Sequence, residues 1–236
     1  MRFRLHRPTT LPFAPTARHV EPSFILSADD DLGRADDQLI ALSLEAINAA
    51  RSVDLEDIAS RNPETARWIR TWPGEHYRLL AGFMCVLHPR RVVEVGTATG
   101  ASALCMAKYL AKEASLTTFD VVPWQQYSGA ILSEADFGSG QLRQEVSDLT
   151  RSDGFGRYQK LLEQCDFFFL DAAKDGQMER RLFNLIAELP ISHQAYLVFD
   201  DIRVQNMLSI WREINRPKLD LTSFGHWSGT GLVRLG

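Results

Sequence analysis

The sequence has no apolar run approaching the roughly 20 residues that a membrane-spanning helix needs, so a bilayer-spanning protein is excluded. Cysteine is scarce: Cys85, Cys105 and Cys165 are the 3 in 236 residues. They stand far apart within apolar stretches, without the close pairing of a zinc site or a small disulfide scaffold. Reduced, buried thiols and a cytoplasmic location are therefore expected. An excess of basic charge is also missing, since 26 Lys and Arg against 30 Asp and Glu give a formal net charge of −4. With the footprint of a nucleic-acid binder lacking, neither a nucleic-acid nor a membrane partner is expected. No repeats or low-complexity tracts occur. Small-molecule chemistry is the class that survives.

The chain is long enough for one sizeable α/β domain and short for two independent ones. Its first 20 residues carry Arg2, Arg4, Arg7 and Arg18 and no acid. Pro8, Pro12 and Pro15 would break the amphipathic helix of a transit peptide, so residues 1–28 read as a flexible or partner-embracing arm. Residues 29–88 read as a helical cap integral to the domain. Apolar residues recur at helical spacing over 36–51, and Asn62-Pro63-Glu64 has the form of a helix start that Pro73 ends. A further helix spans 74–88, before Pro89.

From residue 89 onward, short apolar runs alternate with helical segments, the signature of βαβ units and a parallel sheet buried on both faces. Strands are predicted at 91–95, 116–121, 143–147, 166–170, 195–199, 219–224 and 231–235. Helices are predicted at 102–112, 155–164, 177–189 and 204–214. The last two strands flank only the turn GHWSGT and form an antiparallel hairpin. The fold class is α/β: a Rossmann-like doubly wound seven-stranded sheet, five parallel strands closed by a C-terminal antiparallel hairpin.

Ligands of open α/β sheets bind beyond the carboxyl ends of the strands, usually beside the first. There the sequence reads EVGTATG. Gly96 permits the tight turn and Gly100 the close approach of the next helix, while Thr97, Ala98 and Thr99 keep side chains small beside the main chain. Glu94 can accept from a ligand ammonium. The G-x-x-x-G pattern lacks the pyrophosphate cradle of dinucleotide binders, which points to a cofactor without phosphate. Asp120, at the second strand end, can take both hydroxyls of a ribose, and Asp148, after the third, lies near an adenine amino group, with Asp136 and Asp153 as competitors.

Over residues 74–236 the motifs EVGTATG, FD at the second strand and the terminal hairpin resemble the class I S-adenosylmethionine-dependent methyltransferases. The resemblance implies S-adenosylmethionine as cofactor and adds Ser102, Val121 and Asp171 to its contacts.

Two more strand ends reach the same rim. FFFLDAAKD supplies Asp171 and Lys174, and YLVFDDI supplies Asp200 and Asp201. Three carboxylates with no nearby histidine or cysteine suit a hard divalent cation such as Mg²⁺. Here the sequence is similar to the catechol and caffeoyl-coenzyme A type O-methyltransferases, which have an aspartate, a lysine three residues on, and an Asp-Asn pair. The resemblance implies metal ligands at Asp171, Asp200 and Asp201 and a general base at Lys174; Asp201 departs from the family's asparagine. The expected activity is O-methylation of a small hydroxylated acceptor. A metal-independent methyltransferase and a non-catalytic cofactor-binding protein are the alternatives. His76 is expected to pack at the cap more than to touch ligand. Trp124, Tyr127 and Trp227 lie in loops above the rim, residues 125–141 read as a lid, and a homodimer is expected.

Overall fold

The computed structural model describes residues 33–72, 76–204 and 206–236. The expected N-terminal arm lies outside them. Four helices come first: α1 (Asp37–Ser52), α2 (Glu56–Ala59), α3 (Pro63–Arg70) and α4 (Tyr77–Leu87). Then β1 (Arg91–Val95), α5 (Ala101–Ala107), β2 (Ser115–Asp120), β3 (Leu142–Val146), α6 (Ser152–Leu162), β4 (Phe167–Leu170), α7 (Met178–Ala187), β5 (Tyr196–Asp200) and α8 (Met207–Glu213) follow. The described chain closes with β6 (Lys218–Asp220) and β7 (Thr230–Arg234).

The seven strands are ordered β3-β2-β1-β4-β5-β7-β6. All neighbouring pairs from β3 to β5 are parallel, and β7 is antiparallel to both β5 and β6. This is the expected Rossmann-like architecture. The order reverses between β1 and β4, so the crevice where a ligand binds opens at their carboxyl ends. Alternation along each strand sends side chains to two cores. In β4, Phe167 and Phe169 join Val92, Leu116 and Val198 beneath α1 to α5, whereas Phe168 and Leu170 join Val93, Phe119 and Phe199 beneath α6 to α8. The cap helices thus share one apolar core with the sheet. Among the described residues no helix is long and apolar enough to cross a membrane.

Helix starts follow their capping chemistry. Asp36 accepts from the Leu39 amide at 2.9 Å, and Asn62 accepts from the Glu64 amide at 2.8 Å with Pro63 at the first helical position. Three elements differ from the sequence reading. Helix α2 was not anticipated; four residues are too few to display a helical period. The helix expected over 102–112 ends at Ala107, where Tyr109 and Leu110 turn back onto Met106 and Ala107 carbonyls. The strand expected over 219–224 stops at Asp220, whose carboxylate takes the Thr222 amide at 2.9 Å and breaks the ladder into a turn.

Removing the cap of α3 in Asn62→Ala is expected to lower stability by about 1 kcal/mol in urea unfolding, with an unchanged m-value.

Candidate functional site

The turn after β1 is built on main-chain conformations that demand small residues. Gly96 has φ +106° and Gly100 φ +81°. A Cβ on Gly96 would overlap the Asp171 carbonyl oxygen, and one on Gly100 would overlap the Leu132 side chain. Ala98, at φ +43°, shares the left-handed region. The turn is tied to the sheet by the Gly96 amide, which donates to the Phe119 carbonyl at 2.8 Å, and by a hydrogen bond of 2.8 Å between the Thr97 and Thr118 hydroxyls. Thr99 binds the far loop through its carbonyl, which accepts from the Ile131 amide at 2.9 Å. Ser102 is buried on the first turn of α5.

Asp120 closes β2 beside this turn. Its Oδ2 accepts from the Ala98 amide at 3.1 Å and its Oδ1 from Val121 and Val122 amides at 2.7 and 3.2 Å. Val121 stays exposed. Asp148 turns onto its own loop, accepting from the Thr150 amide and hydroxyl at 2.8 and 2.6 Å. Its competitors are engaged elsewhere: Asp136 pairs with Arg61 at 2.8 and 2.9 Å, and Asp153 with Arg151 at 3.1 Å. The first of these pairs, with the Ser133–Asp136 capping box, anchors the segment expected to be a lid.

Glu94 is fully buried in β1, and neither of its carboxylate oxygens has a hydrogen-bond partner. Burial pushes its pKa up to about 7, even with the Ser102 and Thr118 hydroxyls close enough to hold it lower than burial alone would.

The second half of the rim joins β4 and β5. The Lys174 ammonium stands among three carboxylates, 2.6 Å from Asp171 Oδ1, 3.2 Å from Asp200 Oδ2 and 3.0 Å from Asp201 Oδ2. Burial opposes its charge, but the three acids outweigh burial and hold it well above the ordinary lysine range. In this arrangement the Lys174 ammonium donates to Asp171 and Asp200. Lys174 and Asp201 have φ of +59° and +58°. Such conformations are uncommon outside glycine and persist where surroundings enforce them. For Lys174 the enforcement is visible: buried Glu179 accepts from its amide at 2.6 Å and from the Gly176 amide at 3.2 Å.

The expectation of no nearby histidine is corrected. His76 Nδ1 and His226 Nδ1 each lie 3.2 Å from Asp200 Oδ1. His226 Nδ1 is also 3.3 Å from Asp201 Oδ1 and 2.8 Å from the Ser228 hydroxyl, which in turn donates to Asp201. His76 is only 3% exposed and packs against Phe169. Burial opposes ionisation of Asp200, yet His76, Lys174 and His226 together hold its carboxyl well below the usual range. His226, Ser228 and Glu179 were missed by sequence reasoning. The first two sit in the GHWSGT turn, a segment whose composition also fits a plain hairpin loop.

Of the loop aromatics, Trp124 is half-buried, stacking on Phe137 against the edge of the core, Tyr127 is exposed, and Trp227 is 70% exposed beside His226.

Residues 93–202 match a family described as a methyltransferase domain. No curated protein matches the sequence. Among solved structures, a Geobacter sulfurreducens methyltransferase aligns at 15% identity, over 85% of this chain and 99% of its own, with a TM-score of 0.55. A Staphylococcus aureus protein described as a candidate caffeoyl-CoA O-methyltransferase aligns at 13% identity over 84% of this chain and 100% of its own, TM-score 0.54. The O-methyltransferase TomG of Streptomyces achromogenes, solved with S-adenosylmethionine, aligns at 19% identity over 87% and 92%, TM-score 0.50. At these identities the likeness is one of fold.

The buried Glu94 yields a signed expectation. A carboxyl raised from 4.5 to about 7 in the folded state gives stability that is complete below pH 4.5 and is lost as pH rises through about 7, by about 3 kcal/mol. Glu94→Gln should therefore unfold at a higher temperature than the parent at pH 8 and at nearly the same temperature at pH 4. Scanning calorimetry of the ligand-free protein at both pH values measures this; equal shifts at both would contradict it.

Proposed function

From the premise that this chain has the class I S-adenosylmethionine-dependent methyltransferase fold, we propose that it transfers a methyl group from S-adenosylmethionine to a hydroxyl oxygen of a small molecule. The observation that carries this reading is the contact between the two halves of the rim. Gly96 of the glycine turn lies against the Asp171 carbonyl, so a cofactor on the turn and an acceptor at the acids share one crevice.

The cofactor residues divide by chemistry. Glu94 is a buried acceptor without a partner, which suits the ammonium of the cofactor's amino-acid end. Gly96, Thr97, Ala98, Thr99, Gly100 and Ser102 bound the space along the turn. Asp120 takes the ribose hydroxyls, Val121 and Asp148 flank the adenine, and Asp171 faces the sulfonium end. A carboxylate already accepting from main-chain amides keeps lone pairs for a hydroxyl.

A divalent cation fits the acid residues on charge and donor type. Asp171, Asp200 and Asp201 offer oxygens within 4.8 Å of one another, and three carboxylates against one ammonium leave an excess that a dication balances. Such a cation, when bound, lowers the pKa of a hydroxyl it contacts. Methyl transfer is an in-line displacement: the sulfur–methyl bond breaks as the oxygen–methyl bond forms, and the hydroxyl gives up its proton. Lys174 is the residue placed to meet that hydroxyl. As an ammonium it orients the oxygen by donating to it and takes no proton; the hydroxyl proton passes to water. A metal-independent reaction is the second reading, favoured by the ammonium that already stands among the acids.

Two measurements test this. S-adenosylhomocysteine is expected to bind in calorimetry, about tenfold or more weakly in Asp120→Ala; absence of binding to the parent protein would sink the proposal. With mass detection of methylated products across a phenol and catechol panel, Lys174→Met should lower kcat on the order of 10²-fold while leaving S-adenosylhomocysteine affinity unchanged. Cofactor binding without any product would mark a non-catalytic binder. Failure of Mg²⁺, Mn²⁺ and Co²⁺ alike to bind at millimolar concentration would leave the metal-independent reaction.

A further inference from the structure

Asp200 presents two unlike faces. Its Oδ2 meets the Lys174 ammonium at 3.2 Å, while its Oδ1 meets two imidazole nitrogens, His76 Nδ1 and His226 Nδ1, each at 3.2 Å. The rings reach this oxygen from distant parts of the chain: His76 stands at the start of α4, and His226 lies in the turn between β6 and β7. Asp201 Oδ1 joins them, 3.3 Å from His226 Nδ1. The donor atoms of His76, Asp200 and His226 all fall within 4.8 Å of one another.

These separations have a coordination meaning. A first-row dication bonds imidazole nitrogen and carboxylate oxygen at about 2.0–2.2 Å, so adjacent donors around a tetrahedral or octahedral ion stand roughly 3.0–3.5 Å apart. Both Asp200 Oδ1–imidazole edges, 3.2 Å each, lie inside that interval, and the two imidazoles offer nitrogens within 4.8 Å of each other. Charge agrees as well. A deprotonated imidazole adds a ligand without adding charge, so a dication can replace the proton that His76 would otherwise hold beside Asp200. Mg²⁺ and Ca²⁺ require oxygen donors, whereas imidazole suits manganese, iron, cobalt and zinc.

We propose that His76, Asp200 and His226 form a mixed nitrogen and oxygen site for a first-row transition-metal dication, on the face of Asp200 opposite Lys174. The inference rests on the methyltransferase reading for its place in the reaction and refines the cation's identity and position. An ion on the Oδ1 face leaves Lys174 among its carboxylates. An ion at the all-carboxylate centre must displace it.

The test uses the full chain, stripped with a chelator and then titrated calorimetrically with MnCl₂, CoCl₂ and MgCl₂, with and without S-adenosylhomocysteine. Pulsed electron paramagnetic resonance of bound Mn²⁺ reads nitrogen ligation directly. Mn²⁺ and Co²⁺ should bind on the order of a hundredfold more tightly than Mg²⁺, with nitrogen modulation on the manganese signal. His226→Gln should weaken Co²⁺ binding about tenfold or more and reduce that modulation. Asp153→Asn, at an exposed ion pair with Arg151, should change Co²⁺ affinity by less than about threefold. Circular dichroism and S-adenosylhomocysteine affinity establish that each variant is folded. Bound manganese without nitrogen modulation, unaltered Co²⁺ affinity in His226→Gln, or no metal binding in a chain that still binds S-adenosylhomocysteine would each overturn the site and leave the methyltransferase reading standing. A chain that binds metal with nitrogen modulation but not S-adenosylhomocysteine would overturn that reading and keep the site.

Discussion

Three carboxylates converge where β4 and β5 end, and the ammonium of Lys174 at 2.6, 3.0 and 3.2 Å is what allows them to do so. Without a cation, their mutual repulsion in a partly buried site would force protonation or local unfolding. The lysine reaches this place through a left-handed backbone conformation that its own side chain does nothing to favour. Glu179, folded beneath the loop from the first turn of α7, takes the two amides that such a conformation presents. A buried acid with no direct part in the acid cluster therefore determines the cluster's electrostatics. The interaction reads in both directions: the carboxylates hold the lysine above its ordinary range, and the lysine helps to hold Asp200 and Asp201 below theirs, while burial still raises Asp171.

The glycine turn is joined to this cluster by contact rather than by charge. With no Cβ on Gly96, the end of β1 lies against the Asp171 carbonyl, which sets the spacing between the two halves of the crevice. Glu94, two residues before Gly96, is costly above neutral pH, because burial opposes ionisation of its carboxyl.

Much of this was legible in the sequence, and what was not has physical causes. The alternation of apolar runs and helical segments identified the sheet because a strand buried on both faces, such as Phe167–Leu170, is an unbroken apolar run too short to be a helix. Asn62-Pro63-Glu64 announced α3 because capping is local chemistry. Asp120, Asp171 and Asp200 were found because strand ends point to one rim. His226 and Ser228 escaped because their proximity to Asp200 depends on the pairing of β5 with β7, a contact between distant segments with no local signature. The early end of β6 escaped for a different reason. An Asp followed two residues later by Thr competes with strand pairing through its side chain, and alternation alone does not display that competition.

The antiparallel hairpin explains why the chemistry of this rim extends beyond the parallel strands. A parallel strand presents only its carboxyl end to the crevice. Strand β7 runs the other way, and Asp200 at the carboxyl end of β5 is registered with Thr230 at the amino end of β7. The turn entering β7 is thereby delivered to the same edge as the acids. His226 and Ser228 precede Thr230 by a few residues, so the reversal of one strand is sufficient to carry an imidazole and a hydroxyl to Asp200 and Asp201. His76 arrives by a second route, at the start of a cap helix, with its ring against Phe169. The donor set around Asp200 is thus assembled from the cap, the parallel sheet and the hairpin together. None of the three can shift relative to the others without changing it, and this makes the Asp200 corner a sensitive reporter of how the cap sits on the sheet.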